Sequence, residues 1–424
     1  MNVLLVEPKF PIPPKSRNHK NFLPIGLLKI GSYLRKSGIQ VKLIRGIPSN
    51  ILERQTIESF NPDEIWVTSL FTYWANYVKE AVRYYQSIFP HAKVIVGGIY
   101  ASLFPEKEIM DYTGCDKVWQ GVISESEDCA PAYDLIDGAN PHPIDYQIIH
   151  ASRGCERQCS FCGTWRIEPL FISKRSIKDQ IDYRKVIFYD NNFLMNPYVE
   201  NILQELIELK AANKLIWCES QSGFDGRILL AKPHLASMIK ASSFRYPRIA
   251  WDWRYDRHVE IKEQINLLTS VGYNSKDIFV FMLYNWETPF EEMELKRVKC
   301  FDWQVQIADC RYRPLTQLYD NYDARKFGQS LNDYYINDEA GWTDILVKQF
   351  RKNVREQNIC VRHGFSFYSR GFEQKTLSKA IIMENKALTA MENKIAHLGS
   401  IGVDSWLPCR IRYPSAKTLE SSKR

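Results

Sequence analysis

Three cysteines carry the clearest chemistry in this chain of 424 residues. The segment reads His150-Ala151-Ser152-Arg153-Gly154-Cys155-Glu156-Arg157-Gln158-Cys159-Ser160-Phe161-Cys162-Gly163, so three thiols fall within eight residues at x3 and x2 spacing. Three thiolates can hold three irons of a [4Fe–4S] cluster and leave the fourth iron open to a substrate or cofactor. A structural zinc site wants four closed ligands, and no fourth Cys or His follows at ligand spacing; His150 belongs to the strand side rather than the loop. Coincidence is the remaining reading. The other seven of the ten cysteines are scattered singly, as small buried residues are.

The cysteines follow a strand expected at Asp145–Ala151, the first of six. Further strands are expected at Lys185–Tyr189, Leu215–Ser220, Arg248–Trp253, Asp277–Tyr284 and Val305–Asp309. Helices fit between them at Pro197–Ala212, Gly226–Ala241, Val259–Val271 and Pro289–Phe301, with a shorter one around Ser176–Asp182. Alternation of this kind gives a parallel sheet or a partial barrel, whose chemistry sits at the carboxyl ends of the strands.

The N-terminal part alternates in the same way. Strands are expected at Val3–Val6, Val41–Arg45, Glu64–Ser69, Lys93–Val96 and Lys117–Trp119, and helices at Gly26–Ser37 and Tyr77–Ile88. In such sheets the loops after the strands hold ligands, here those after Val6, Thr68, Val96 and Trp119. The fold class is therefore α/β: a Rossmann-like domain over 1–135, a partial (βα)6 barrel over 144–315 and a mainly helical C-terminal region over 316–424. In that last region Tyr319–Ile336 reads as loop, Asp344–Gln357 and Lys375–Ile395 as helices, and Ser415–Arg424 as a polar tail.

Cys155, Cys159, Phe161 and Cys162 match the Cys-x3-Cys-x2-Cys signature of the radical SAM enzymes, with its aromatic residue before the last cysteine. The chain resembles that family. The resemblance implies S-adenosylmethionine (SAM) bound to the open iron and cleaved by one electron to methionine and a 5′-deoxyadenosyl radical. It also implies an electron donor such as flavodoxin or ferredoxin. Carried over position by position, SAM contacts fall to Asp190, Asn191 and Asn192 after the second strand, to Glu219 and Gln221 after the third, and to Arg254 after the fourth, where Asp252 also lies. The alternative is that these side chains only cap the barrel mouth or line the substrate pocket.

The first 135 residues resemble the cobalamin-binding domain that precedes the barrel in cobalamin-dependent radical SAM enzymes. The resemblance rests on Val67-Thr68-Ser69-Leu70-Phe71-Thr72-Tyr73, Val94-Ile95-Val96-Gly97-Gly98-Ile99-Tyr100 and Phe104-Pro105-Glu106. Glycines after a buried strand let backbone approach a large planar ligand, which assigns Gly97 and Gly98 to the corrin and Ser69 and Thr72 to its amides. The sequence has no Asp-x-His-x-x-Gly, and the turn after the last strand reads Gln120-Gly121-Val122-Ile123-Ser124-Glu125 rather than acidic-glycine. A Rossmann-like scaffold without ligand would share much of this pattern.

The net charge of +7 is concentrated in the last fifth of the chain, where Gly341–Arg424 holds 15 Lys and Arg against 7 Asp and Glu. Lys348, Arg351, Lys352 and Arg355 share one helical face, followed by Arg362 and His363. Such a stripe is either a solvated face or a contact for nucleic acid or an acidic peptide. No apolar run reaches the length of a membrane span, and the N-terminus lacks the pattern of a signal peptide, so a cytoplasmic protein is expected. Three functions follow: cobalamin-dependent methyl transfer or rearrangement, hydrogen abstraction from a base, peptide or lipid with a scaffold N-terminal domain, or a non-catalytic iron–sulfur protein that binds nucleic acid.

Overall fold

The run Val3-Leu4-Leu5-Val6 has no polar side, and the fold buries all four side chains. They form the centre of β1 (Asn2–Glu7). The structure is a computed structural model that describes residues 1–11, 23–48, 50–137 and 144–364. After β1 come α1 (Ile25–Lys36), β2 (Gln40–Arg45), α2 (Ile51–Glu58), β3 (Glu64–Ser69), α3 (Ala75–Ile88), β4 (Lys93–Gly98), α4 (Ile99–Leu103), α5 (Glu106–Thr113) and β5 (Lys117–Val118).

The five strands are parallel, in the order β2-β1-β3-β4-β5. Leu4 and Val6 join a core with Val78, Val82 and Tyr85 of α3, while Val3 and Leu5 meet Leu27 and Leu34 of α1. Burial on both faces explains why β1 reads as a continuous apolar run instead of an alternation. The order reverses between β1 and β3, and such a switch point opens a crevice at the strand ends.

Helix α2 was not expected from the apolar period, because only Ile57 of its residues is buried. Its start is fixed instead by a capping box: the Asn50 side chain accepts from Glu53 N at 2.9 Å and donates to Glu53 Oε1 at 3.0 Å.

The chain continues through α6 (Ser124–Glu127), α7 (Asp134–Asp137), β6 (Gln147–Ile149), β7 (Ser152–Arg153), α8 (Thr164–Ile167), β8 (Ile172–Ser173), β9 (Lys185–Phe188), α9 (Val199–Ala211), β10 (Trp217–Ser220), α10 (Gly226–Ala231), α11 (His234–Ala241), β11 (Arg248–Ala250), α12 (His258–Ser270), β12 (Phe279–Tyr284), α13 (Phe290–Asp302), β13 (Gln306–Arg311) and α14 (Asp344–His363). All six expected strands are present, as β6 and β9 to β13. They run parallel in chain order, as an open barrel requires, but in two three-stranded sheets, β6-β9-β10 and β11-β12-β13.

One parallel bridge, Cys218 to Phe244, links β10 to the segment before β11. The interruption has a local cause. Ser243 and Tyr246 adopt left-handed backbone, with φ of 65° and 51°, and Pro247 has no N–H to give a ladder.

Two helix expectations need correction. Ser176–Asp182 forms only a single 3-10 turn, Lys178–Gln180, because the stretch after the cysteines is taken up by α8 and the β7–β8 hairpin. Gly226–Ala241 splits into α10 and α11 at Lys232-Pro233, where proline cannot continue a helix. Tyr319–Ile336 is free of regular helix and strand as expected, whereas Lys375–Ile395 and Ser415–Arg424 lie outside the described residues.

The cationic face expected of α14 is present, with Lys352 and Arg355 exposed. Lys348 pairs with Asp344 at 2.6 Å, Lys352 lies 3.9 Å from Glu356, and Arg351 is half-buried near Tyr284, Tyr322 and Asp309. Among the described residues no helix is long and apolar enough to cross a membrane.

Gly98 has φ 99°, and a Cβ there would lie 2.3 Å from the Ser69 carbonyl oxygen, whereas at Gly97 an added Cβ meets only ordinary contacts at 3.5 and 3.6 Å. Gly98→Ala is therefore expected to cost about 1–3 kcal/mol of unfolding free energy and Gly97→Ala less than about 1 kcal/mol. Urea unfolding of the two variants beside the parent chain checks this.

Candidate active site

Strands β6 and β7 deliver the chain into the cysteine loop, and the local sequence pins that loop at its base. Gly154 has φ 79°, and a Cβ there would stand 2.2 Å from the Leu170 carbonyl oxygen. Glu168 closes the base: it accepts from Arg153 Nη2 at 2.7 Å, Gly154 N at 2.9 Å and Asn191 Nδ2 at 3.1 Å. Within the loop, Cys162 N donates to Cys159 O at 3.0 Å and Trp165 Nε1 to the same oxygen at 3.1 Å.

A second carboxylate holds the outer part. Asp225, the N-cap of α10, pairs with Arg157 at 3.1 Å and with Arg227 at 2.9 Å, and accepts from Asn192 Nδ2 at 3.3 Å. Burial pushes its acidity down, but Arg227 and Arg157 outweigh that and hold its carboxyl below the usual range. Cys155, Cys159 and Cys162 are all free and half-buried. Burial, then the neighbouring Cys162, Asp252 and Cys155, raise the Cys159 thiol, while Arg227 works the other way.

The residues expected to meet SAM divide into two groups. Asn191 and Asn192 lie beside the loop, tied to Glu168 and Asp225, and Asn192 Oδ1 is buried without a hydrogen-bond partner. Phe161 lies edge-on to Trp286, with centroids 6.1 Å apart. Gln221 is half-buried at the end of β10, its N–H donated to Phe188 O at 2.9 Å.

The others are committed elsewhere. Asp190 is fully buried and accepts from Ala151 N at 3.1 Å and Ser152 Oγ at 2.7 Å, so it anchors the strand entering the loop; burial pushes its carboxyl up to about 6. Glu219 is fully buried between Arg245 at 2.6 Å and Arg248 at 3.3 Å. Arg254 is exposed and paired with Glu292 at 2.6 Å, so the cation that acts on Cys159 is Arg227 instead. The sequence reading missed Glu168, Asp225 and Arg227; the only signal was an Asp-Gly at a helix start.

The interior beside the loop carries its own charges. Burial raises Asp252 to about 6, against the pull of Lys296 and Arg227. Lys296, fully buried, donates to Trp251 O at 2.6 Å and Trp253 O at 2.8 Å, and burial lowers it to about 8. Cys310 on β13 has an exposed surface, yet its surroundings push the thiol up to about 12, chiefly through burial and then through Asp309 and Asp252. Trp286, Tyr312 and Tyr335 continue from Phe161 as an aromatic wall, with successive centroids 4.0 and 5.6 Å apart.

The N-terminal sheet presents its own strand ends. Ser69 is buried and spent on the glycine turn: its Oγ donates to Gly97 O at 2.7 Å and accepts from Ala101 N at 3.0 Å. It shapes the turn. Thr72 is buried in the single 3-10 turn after β3. Phe71, Ile99, Trp119 and Val122, which follow β3, β4 and β5, are large apolar residues left exposed, a surface that fits a large flat ligand. Helix α4, which begins right after Gly98, packs on α8 at Gly163, where a Cβ would lie 2.7 Å from Leu103 Cδ2. The glycine turn and the cysteine loop therefore adjoin.

The family described as the B12 binding domain matches residues 20–131. No curated protein matches the chain. Among solved structures, the cobalamin-dependent S-adenosylmethionine radical enzyme OxsB with aqua-cobalamin and S-adenosylmethionine bound has a TM-score of 0.50 at 15% identity, over 72% of this chain and 51% of that one. OxsB with aqua-cobalamin bound gives 0.48 at 14% identity, over 72% and 52%. A cobalamin-binding protein from Desulfitobacterium hafniense DCB-2 gives 0.21 at 15% identity, over 28% and 52%. The chain spans about half the length of OxsB. Residues 20–131 are thus similar to B12-binding domains, and 72% of the chain aligns with an α/β fold like that of a cobalamin-dependent radical SAM enzyme, in line with the resemblance read from the cysteines and the glycine turn.

The residues present fit the groups this fold family holds. Among the described residues no group of three or more His, Cys, Asp and Glu side chains is gathered for a metal ion. Asn192 Oδ1 offers an unused buried acceptor for an ammonium group, and the exposed apolar strand ends suit a corrin. Because the Gly154 backbone admits no side chain, Gly154→Ala is expected to cut iron retained after anaerobic reconstitution at least fivefold, measured by iron assay per chain.

Proposed function

We propose that the protein is a cobalamin-dependent radical SAM enzyme. In this reading residues 144–315 hold a [4Fe–4S] cluster on Cys155, Cys159 and Cys162 and cleave SAM to a 5′-deoxyadenosyl radical. Residues 1–135 hold cobalamin, and 316–424 take part in substrate recognition. The observation that carries the reading is the packing of α4 on α8, which sets a B12-binding-type glycine turn against a three-cysteine loop. When bound, the cluster supplies the electron for SAM cleavage, and cobalamin supplies methyl transfer or assists rearrangement.

The chain's own residues position and shield. Glu168 and Asp225 fix the loop from two sides, so the three thiols are held before any ligand arrives. Asn192 Oδ1 would accept from the ammonium of bound SAM, and Phe161 would line the same site. Phe161, Trp286, Tyr312 and Tyr335 keep water from the radical at the strand ends. Methylation of an unactivated carbon is the leading reaction, with ring rearrangement as the other outcome. The match of residues 20–131 to the B12 binding domain favours this over an N-terminal scaffold without cofactor.

Anaerobic protein with its cluster reconstituted is loaded with hydroxocobalamin, freed of excess ligand, and given SAM and dithionite. Near-stoichiometric corrin and 5′-deoxyadenosine are expected, with Cys159→Ala lowering 5′-deoxyadenosine at least a hundredfold while corrin stays. Cleavage of SAM without retained corrin would leave a scaffold domain and remove methylcobalamin chemistry, and absence of both would overturn the reading.

A further inference from the structure

The β7–β8 hairpin lies directly against the cysteine loop and carries an apolar pair that the fold leaves open. Ser152 faces inward, its Oγ bonded to Asp190, and it pairs with Ser173. Alternation therefore turns the neighbouring pair, Arg153 and Ile172, to the outer face. Leu170, two residues before Ile172 on the same side, is 71% exposed and Ile172 is 61% exposed. The Leu170 carbonyl is the atom that forbids a Cβ on Gly154, next to Cys155, so this pair stands within a few residues of the thiols.

The surroundings are basic. From Arg153 to Lys178 the chain has six Lys and Arg against Glu156 and Glu168, and Glu168 is turned inward onto Arg153, Gly154 and Asn191. The ion pairs of this segment are Arg153 with Glu168 and Glu127, Arg157 with Asp225, and Lys178 with Glu208. Lys174 is half-buried beside Asp128, Glu127 and Asp190 and bonds Gln180, whereas Arg175, which continues the hairpin strand, is exposed, has no carboxylate partner among the described residues and lies over the Tyr198 ring.

We infer that Leu170 and Ile172, with Arg175 beside them, form the docking face for an acidic one-electron carrier protein. The inference rests on the reading above, since a cluster on these cysteines must receive single electrons from outside. An apolar centre with an exposed arginine free of carboxylates at its margin favours an acidic partner and speeds its encounter, and the adjacency to Cys155 keeps the path to the cluster short. The carrier donates one electron to the cluster and leaves oxidised by one electron; no bond forms between the two proteins.

The test uses reduced bacterial flavodoxin as the probe, with dithionite as a chemical reductant that needs no docking. In the reconstituted holoenzyme, Leu170→Asp and, separately, Arg175→Glu are expected to lower flavodoxin-driven 5′-deoxyadenosine formation at least fivefold while dithionite-driven formation stays within twofold. Binding of the holoenzyme to immobilised oxidised flavodoxin, read by interferometry without turnover, should weaken to a similar extent and fall with added salt. Unchanged flavodoxin rates and binding in both variants, or salt-independent binding, would overturn the docking face and leave the enzyme reading intact. Failure of dithionite to drive SAM cleavage in the parent protein would overturn that reading and the docking face with it.

Discussion

The close approach of α4 to α8 is the constraint from which the rest of the site follows. Gly163, the residue after Cys162, has no side chain, and Leu103 at the end of α4 fills the space that a Cβ would take. Since α4 starts at the glycine turn of the N-terminal sheet, this one contact fixes where that sheet's strand ends stand relative to the cysteine loop. A larger residue at 163 would have to displace the end of the Leu103 side chain.

Around that contact the chain uses carboxylates as clamps. Asp190 fastens the strand that enters the loop, Glu168 its base and Asp225 its outer turn. Each is hydrogen-bonded to backbone N–H or to arginine; at Asp225 the arginines outweigh burial, whereas at Asp190 burial still raises the carboxyl. The loop thus gains rigidity from residues that touch no ligand, while Asn192 keeps one acceptor unused. The same logic separates Arg227 from Arg254: both are arginines near strand ends, but only Arg227 acts on Cys159, because Glu292 holds Arg254 outside.

Much of this was legible before any coordinates. The six strands and the N-terminal sheet followed from apolar runs between turn residues, and Cys155, Cys159 and Cys162 from spacing alone. What was not legible depended on partners distant in sequence. Asp190 and Glu219 look like ligand residues because they are acidic at strand ends, and only the fold reveals Ser152 and Arg245 already bonded to them. Asp225 reads as an ordinary helix cap until Arg157 is brought from 68 residues away. Helix α2 hid because a mostly exposed helix leaves no apolar period, and the pairing of Lys348 and Lys352 on α14 rests on Asp344 and Glu356, each one turn away on the same helix.

The packing of α4 on α8 puts the glycine turn beside the cysteine loop, so a corrin and a cluster held there must lie close together. Pulsed electron paramagnetic resonance on protein carrying both cob(II)alamin and the reduced cluster tests it directly. A dipolar coupling between the two spins is expected. Two uncoupled signals in a protein that holds both groups in full would contradict it.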